Sequence, residues 1–73
     1  MNETRIEVRP DVMLGKPVIR GTRVTVELIL RKLGAGMTPT EIIADHPHLT
    51  VDDIQAAQAY AAEVLAGDDL AFG

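Results

Sequence analysis

The chain has 73 residues, no cysteine and a formal net charge of -4, and 47% of its residues are hydrophobic although only Tyr60 and Phe72 are aromatic. This length allows one small domain with an aliphatic core, and the absence of cysteine excludes disulfides, thiolate metal sites and cysteine nucleophiles. No apolar run approaches the roughly 20 residues of a membrane span, and the N-terminal residues lack a signal-peptide core, so we expect a cytoplasmic protein.

Charge is divided unevenly along the chain. All seven Lys and Arg residues lie within residues 1–32 beside four acidic residues, whereas residues 33–73 hold seven acidic residues and no basic one. The first part therefore carries +3 and the second -7. This separation predicts a charged partner for at least one of the two parts, with ordinary solvated surface charge as the alternative.

The N-terminal segment is predicted to form a β-arm. In TRIEVRP, Ile6 and Val8 alternate with charged residues, which is typical of a short strand that ends at Pro10. Residues 12–14 are expected to form one helical turn against the core.

The stretch PVIRGTRVTV predicts a hairpin. Gly21 and Thr22 fit a two-residue type II′ loop between β-branched strands at about 18–20 and 23–25. In that register Arg20 and Arg23 face each other across the loop, with Cβ atoms about 4.5–5.5 Å apart. Like charges so placed are unfavourable unless an anion is near, so the pair marks a candidate binding site.

Three helices are predicted next, each with a threonine N-cap, at Thr25, Thr38 and Thr50. The first buries Val26, Leu28, Ile29 and Leu33 and ends at Gly34 and Gly36; the second spans 39–45 and the third 51–66. We predict a single domain over 1–73 with a mainly α fold. It has a β-arm and short hairpin at 1–24, a three-helix, helix-turn-helix-like core of the homeodomain or winged-helix kind at 25–66, and a tail at 67–73.

The third helix is predicted to pair with a second copy. Its apolar stripe contains alanines that allow another helix to approach closely. The stripe consists of Ile54, Ala57, Gln58, Ala61, Val64 and Leu65. A short chain without disulfides gains stability by association, so we expect a homodimer through Ile54, Ala57, Ala61 and Leu65. In the tail, Leu70 and Phe72 either dock on the domain or wait for a partner.

The candidate partner- or phosphate-binding site consists of Lys16, Arg20, Gly21, Thr22 and Arg23, with Arg5 and Arg9 as additional basic contacts. Guanidinium groups bind phosphate or carboxylate bidentately, so a nucleic-acid backbone or an acidic pocket of another protein would fit. The alternative is that Glu7, Asp11 or Glu27 of the same chain neutralises the arginines.

A helix-turn-helix outline also suggests DNA binding through the second helix of the motif. Here that helix contains Asp52, Asp53 and Glu63 and no Lys or Arg. Any contact with DNA phosphates is therefore expected from the β-arm and hairpin.

The sequence lacks the residue patterns of a phosphate-binding loop, a metal site or a catalytic site. GKPVIRGT does not have the residue order of a phosphate-binding loop. Asp45, His46 and His48 are too few for a metal site and are expected to form a polar turn. No nucleophile and base can be paired, so we expect no cofactor, no metal and no enzymatic activity.

Over roughly Val8 to Ala62, the segments GKPVIRGTRVTVELIL and GMTPTEIIADHPHLTVDDIQAAQAYAA resemble the family named domain of unknown function 433 (DUF433). The resemblance implies a helix-turn-helix-like fold, frequent dimerisation and service as the antitoxin of a toxin-antitoxin pair, often beside a PIN-like nuclease. It implies no residue roles.

Together, these observations lead us to expect a non-catalytic antitoxin-like protein that binds and neutralises a PIN-like nuclease and represses its own operon. The alternative is a dimeric helix-turn-helix-like DNA-binding regulator without a toxin. In the first case a basic hairpin would enter or cover the acidic, metal-binding site of the nuclease.

Overall fold

A computed structural model describes residues 5–68 of the chain. Two short strands precede three helices: β1 at Ile6–Glu7, β2 at Val18–Ile19, α1 at Val26–Gly34, α2 at Pro39–Asp45 and α3 at Val51–Asp68. The predicted mainly α fold with three helices behind an N-terminal β-arm is confirmed. Residues 67 and 68 of the predicted tail belong to α3. The rest of that tail, residues 69–73 with Leu70 and Phe72, lies outside the described residues. No helix within residues 5–68 combines the length and apolar character needed to cross a membrane.

The strand region differs from the prediction in its pairing. β1 pairs with β2 in antiparallel register, with Ile6 opposite Ile19, and a single bridge joins Val18 to Thr25. The Ile19 amide donates to the Val24 carbonyl at 2.9 Å, so the connecting loop is the four residues 20–23 and not the predicted two. Residues 19–22 form a turn that is closed by a hydrogen bond from the Thr22 amide to the Ile19 carbonyl at 3.0 Å. Gly21 is the third residue of this turn and has a φ of 77°, the positive value that a type II turn requires there.

Each helix begins at its predicted threonine. The Thr25 hydroxyl accepts a hydrogen bond from the Leu28 amide at 2.9 Å, and Thr38 forms a reciprocal capping box with Glu41. Thr50 forms a second reciprocal pair with Asp53, with distances of 3.2 and 3.0 Å. These caps satisfy amide groups that have no partner inside a helix, so the three starts are fixed locally by the sequence.

The core lies where α1 and α2 pack against α3 and the arm closes one side. The side chains of Ile29, Ile42 and Ile54 are fully buried in one hydrophobic cluster, and Val18 on β2 is fully buried as well. Ala56 and Ala57 are also fully buried, which lets the neighbouring helices approach α3 closely. The core is thus aliphatic, as the composition predicts.

The second half of α3 extends beyond this core. Val64 and Leu65 were placed in the predicted stripe, yet they are 46% and 65% exposed, and Gln58 also faces solvent. Ile54 and Ala57 are fully buried in their own chain, so they are core residues, and their prediction as dimer contacts is corrected. Ala61 and Leu65 are the two predicted dimer positions that the fold leaves at or near the surface.

Candidate functional site

The two hairpin arginines reach different parts of the structure. A guanidinium nitrogen of Arg20 lies 3.8 Å from a carboxylate oxygen of Glu7 on β1. Arg23 instead points to the turn before β2, where Nη1 lies 3.9 Å from the Met13 sulfur. The prediction that the two side chains share one anion across the loop is therefore wrong, because the longer loop sends them to separate partners.

The other residues of the predicted site have structural roles. The Gly21 amide donates to Glu7 at 3.3 Å. The Thr22 hydroxyl donates to the Ile19 carbonyl at 2.8 Å and accepts from the Val24 amide at 3.0 Å. These bonds hold the loop closed and occupy the groups that were predicted to bind phosphate.

The remaining basic residues pair with carboxylates of the same chain. The pairs are Arg5 with Asp53 at 3.0 Å and Asp52 at 3.5 Å, Arg9 with Asp11 at 3.7 Å and Glu7 at 3.9 Å, Lys16 with Glu27 at 2.9 Å, Arg31 with Glu27 at 3.0 Å, and Lys32 with Asp45 at 3.4 Å. Across residues 5–68, Arg23 is the one Lys or Arg without a carboxylate within 4.0 Å. Neutralisation by a carboxylate of the same chain, the alternative considered for the hairpin arginines, thus holds for Arg20, which lies near Glu7, and does not hold for Arg23 within the described residues.

Arg23 lies in an open groove of about 580 Å³ between the turn before β2 and the first half of α1. We call it the Arg23 groove. Its lining combines apolar and charged side chains: Asp11, Met13, Leu14, Lys16, Arg23, Thr25, Glu27, Leu28 and Arg31. Met13, Leu14 and Leu28 are 38%, 95% and 36% exposed, so the groove carries apolar surface next to a guanidinium that meets no carboxylate in the described part of the chain. This combination suits a protein surface that offers both a carboxylate and apolar side chains.

The turn at Met13–Gly15 presents Leu14 to solvent. The φ angles of Met13, Leu14 and Gly15 are 49°, 59° and 82°, so three consecutive residues are left-handed. This backbone is held by hydrogen bonds from the Gly15 amide to Val12 at 3.0 Å and from the Lys16 amide to Met13 at 3.1 Å. The predicted helical turn at 12–14 thus forms as a single 3-10 turn at Met13–Gly15, but none of its residues is buried, so the predicted packing against the core is wrong. Left-handed leucine is strained, and strained residues cluster at functional sites.

Sequence reasoning missed the apolar part of this groove. Leu28 was predicted to be buried with Ile29, but two consecutive residues of a helix face different directions, and only Ile29 is in the core. The signal for Leu14 was present in PDVMLG, where three consecutive apolar residues between a proline and a glycine fit neither a helical nor a strand period.

Glu27 forms the charged edge of the groove and provides a test of its geometry. The hydrogen bond from Lys16, and then that from Arg31, lower the pKa of the Glu27 carboxyl below its ordinary value of 4.5. Because the folded pKa is depressed, the stabilising contribution is present above pH 4.5 and is lost as the pH falls through the folded pKa. We expect the stability difference between wild type and Glu27→Gln to be largest above pH 4.5 and to disappear at lower pH. Urea denaturation over a pH series measures it, and a difference that grows on acidification would contradict the two ion pairs.

The histidines of the second interhelical turn lie apart from this groove. The ring centroids of His46 and His48 are 6.3 Å apart in an edge-to-face arrangement. Among the side chains of the described residues, no three His, Asp or Glu groups come together in the manner of metal ligands.

The fold and the site define a small helical domain of helix-turn-helix outline, with a β-arm and an open groove beside it. The chain belongs to the DUF433 family, described as proteins of unknown function, whose sequence profile matches residues 6–61.

Two relatives extend this assignment. The chain is similar to a DUF433 member protein from Anabaena variabilis ATCC 29413, whose crystal structure superposes with a TM-score of 0.80 at 31% identity, over 89% of this chain and 64% of that one. It is also 37% identical over 65 residues to the uncharacterized protein y4eO of Sinorhizobium fredii (strain NBRC 101917 / NGR234). That match covers 88% of this chain but 29% of the relative, so the relative is much longer.

Proposed function

We propose that this protein is a non-catalytic, antitoxin-type binding protein that neutralises a PIN-like nuclease and takes part in repressing its own operon. The observation that supports this proposal is the Arg23 groove, where Arg23, which has no carboxylate within 4.0 Å among residues 5–68, lies beside exposed Leu14 and Leu28. A nuclease of this kind has an acidic metal-binding site, and a guanidinium is a strong bidentate partner for carboxylates. Leu14, almost fully exposed beside Arg23, adds apolar surface to the contact, and arginine is among the residue types that most often dominate binding energy at protein interfaces.

The alternative function, a DNA-binding regulator without a toxin, is less well supported by the same surface. Affinity for duplex DNA comes mainly from cations that neutralise phosphates. The basic residues of the arm and hairpin other than Arg23 already lie within 4.0 Å of a carboxylate. The described part of α3 contains no Lys or Arg. Regulation of the operon is therefore better explained by a complex in which the nuclease partner adds to the DNA-binding surface.

The nuclease proposal is tested with the product of the adjacent coding frame, copurified with the full chain and assayed for RNA cleavage. We expect a stable complex in which cleavage is suppressed. Arg23→Glu should weaken the complex at least about tenfold and restore cleavage, because it places a carboxylate against the acidic site of the nuclease.

Arg20→Glu is the matched control, because it makes the same charge change in the same loop. The Arg20 side chain lies near Glu7 and does not line the Arg23 groove. This variant should change the affinity by less than about threefold, and circular dichroism should show that both variants are folded. Equal loss in the two variants would show that net charge, and not the groove, controls binding. Failure of the adjacent product to bind or to cleave RNA, together with salt-sensitive binding of the chain alone to duplex DNA, would favour the alternative.

A further inference from the structure

The end of α3, residues 61–67, is an exposed surface that is both apolar and acidic. Val64 and Leu65 are 46% and 65% exposed, whereas Ile54 on the same helix is fully buried. Glu63 is exposed and has no ion pair within residues 5–68, and no basic residue stands in the last turn of the helix. The negative end of the helix dipole is therefore not offset by a cation of that turn. We call this surface the α3 end.

The Arg23 groove has the opposite charge and the same apolar character. Arg23 lacks a carboxylate partner within the described residues, and Leu14 and Leu28 are exposed beside it. The groove and the α3 end are thus two amphipathic surfaces of one chain, and neither the positive charge of the first nor the negative charge of the second has an ion-pair partner among residues 5–68.

Contacts between identical surfaces are electrostatically unfavourable. Two α3 ends packed together would bring Glu63 and the negative helix end close to their own copies. Two Arg23 grooves would likewise bring their unpaired guanidinium groups together. Like charges opposed across an interface weaken association, whereas opposite charges favour it and set its orientation. The complementary pairing is therefore the groove with the α3 end.

We propose that the Arg23 groove of one copy binds the α3 end of a second copy. Arg23 then lies close to Glu63 of the other chain, and Leu14 and Leu28 pack against Val64 and Leu65 of the other chain. Both surfaces are exposed to solvent within a single chain and do not cover each other there. The proposed contact is therefore made between two chains. In a two-fold dimer each chain gives its α3 end and receives that of its partner, which closes the assembly. This contact does not require a nuclease, and a nuclease bound in the groove would compete with it.

The contact is tested on the full chain alone by analytical ultracentrifugation over a range of protein concentrations. The wild type should form a dimer, and added salt should weaken it. Arg23→Glu and Glu63→Arg should each raise the dissociation constant at least about tenfold, because each opposes like charges in the contact. The double variant restores an opposite-charge pair and should return to within about threefold of the wild type.

Two further variants serve as a control and as an independent test of the dimer contact. Arg20→Glu, in the same loop but facing Glu7, should dimerise like the wild type. Leu65→Asp replaces a 65% exposed side chain and should disrupt the dimer without unfolding the domain, so it tests the contact even if Arg23→Glu does not fold. A monomeric wild type at millimolar concentration, or a double variant no better than the single ones, would overturn the proposal. Either result would leave binding of a nuclease to the groove intact as a separate question.

Discussion

Ile54→Ala is expected to lower the free energy of unfolding by about 2–5 kcal/mol, the range measured for truncating a fully buried aliphatic side chain. Ile54 has no exposed surface and lies with Ile29 and Ile42 at the centre of the core. The cost combines lost transfer of the removed methyl and methylene groups from water with the cavity that remains. A domain of this size has only a few kcal/mol of total stability, so a large fraction of the variant molecules should be unfolded at 25 °C. Urea denaturation followed by circular dichroism measures the effect.

Gln58→Ala is the control for this prediction. Gln58 lies one turn further along α3, was assigned to the same apolar stripe from the sequence, and is exposed in the structure. Its replacement should change the free energy of unfolding by less than about 0.5 kcal/mol, as is usual for surface positions. A large effect at Gln58, or a small one at Ile54, would show that α3 is rotated relative to the described packing.

Asp53→Ala is expected to lower the free energy of unfolding by about 1–3 kcal/mol, because one carboxylate joins two parts of the fold. One oxygen accepts a hydrogen bond from the Thr50 amide at 3.0 Å and completes the N-terminal cap of α3. The other accepts from Arg5 at 3.0 Å and ties the β-arm to the helix. The loss stays below that of a fully buried ion pair because the Arg5 side chain is 43% exposed and keeps part of its hydration.

Asp52→Ala separates this role from simple charge. Asp52 also lies near Arg5, at 3.5 Å, but its side chain is 68% exposed and it caps nothing in α3. Exposed ion pairs contribute about 0–1 kcal/mol, so this variant should unfold near the wild-type urea concentration. If the two aspartate variants lost the same stability, the total charge near Arg5 would explain the effect and the capping geometry would not.

The helices could be predicted from the sequence because their signals are local. A threonine hydroxyl can reach the amide three residues later whatever the rest of the chain does, and Thr25, Thr38 and Thr50 all do so. Pro47 likewise ends α2, since it disfavours helical geometry at His46, which has φ and ψ of -132° and 78°.

The hairpin loop was less predictable because several loop lengths are compatible with the same amino-acid sequence. Gly21 permits the positive φ of either a two-residue or a four-residue loop, and in the structure the four-residue loop occurs together with pairing to β1, where Glu7 lies near Arg20. Glu7 was considered as a partner from the sequence, but its reach to Arg20 and not to Arg23 depends on strand register. The candidate site therefore moved from a pair of arginines to Arg23 alone with its apolar neighbours.

The outward leucine of the groove has a consequence for engineering this domain. At a φ of 59°, Leu14 occupies a conformation that glycine adopts without penalty, and with 95% of its surface in water it contributes little to the core. A library selected for heat resistance alone would tend to replace it with glycine, and the more stable variants would lack the exposed apolar side chain that the proposed binding of a partner uses. Thermal tolerance and the proposed recognition thus place opposite demands on this single position.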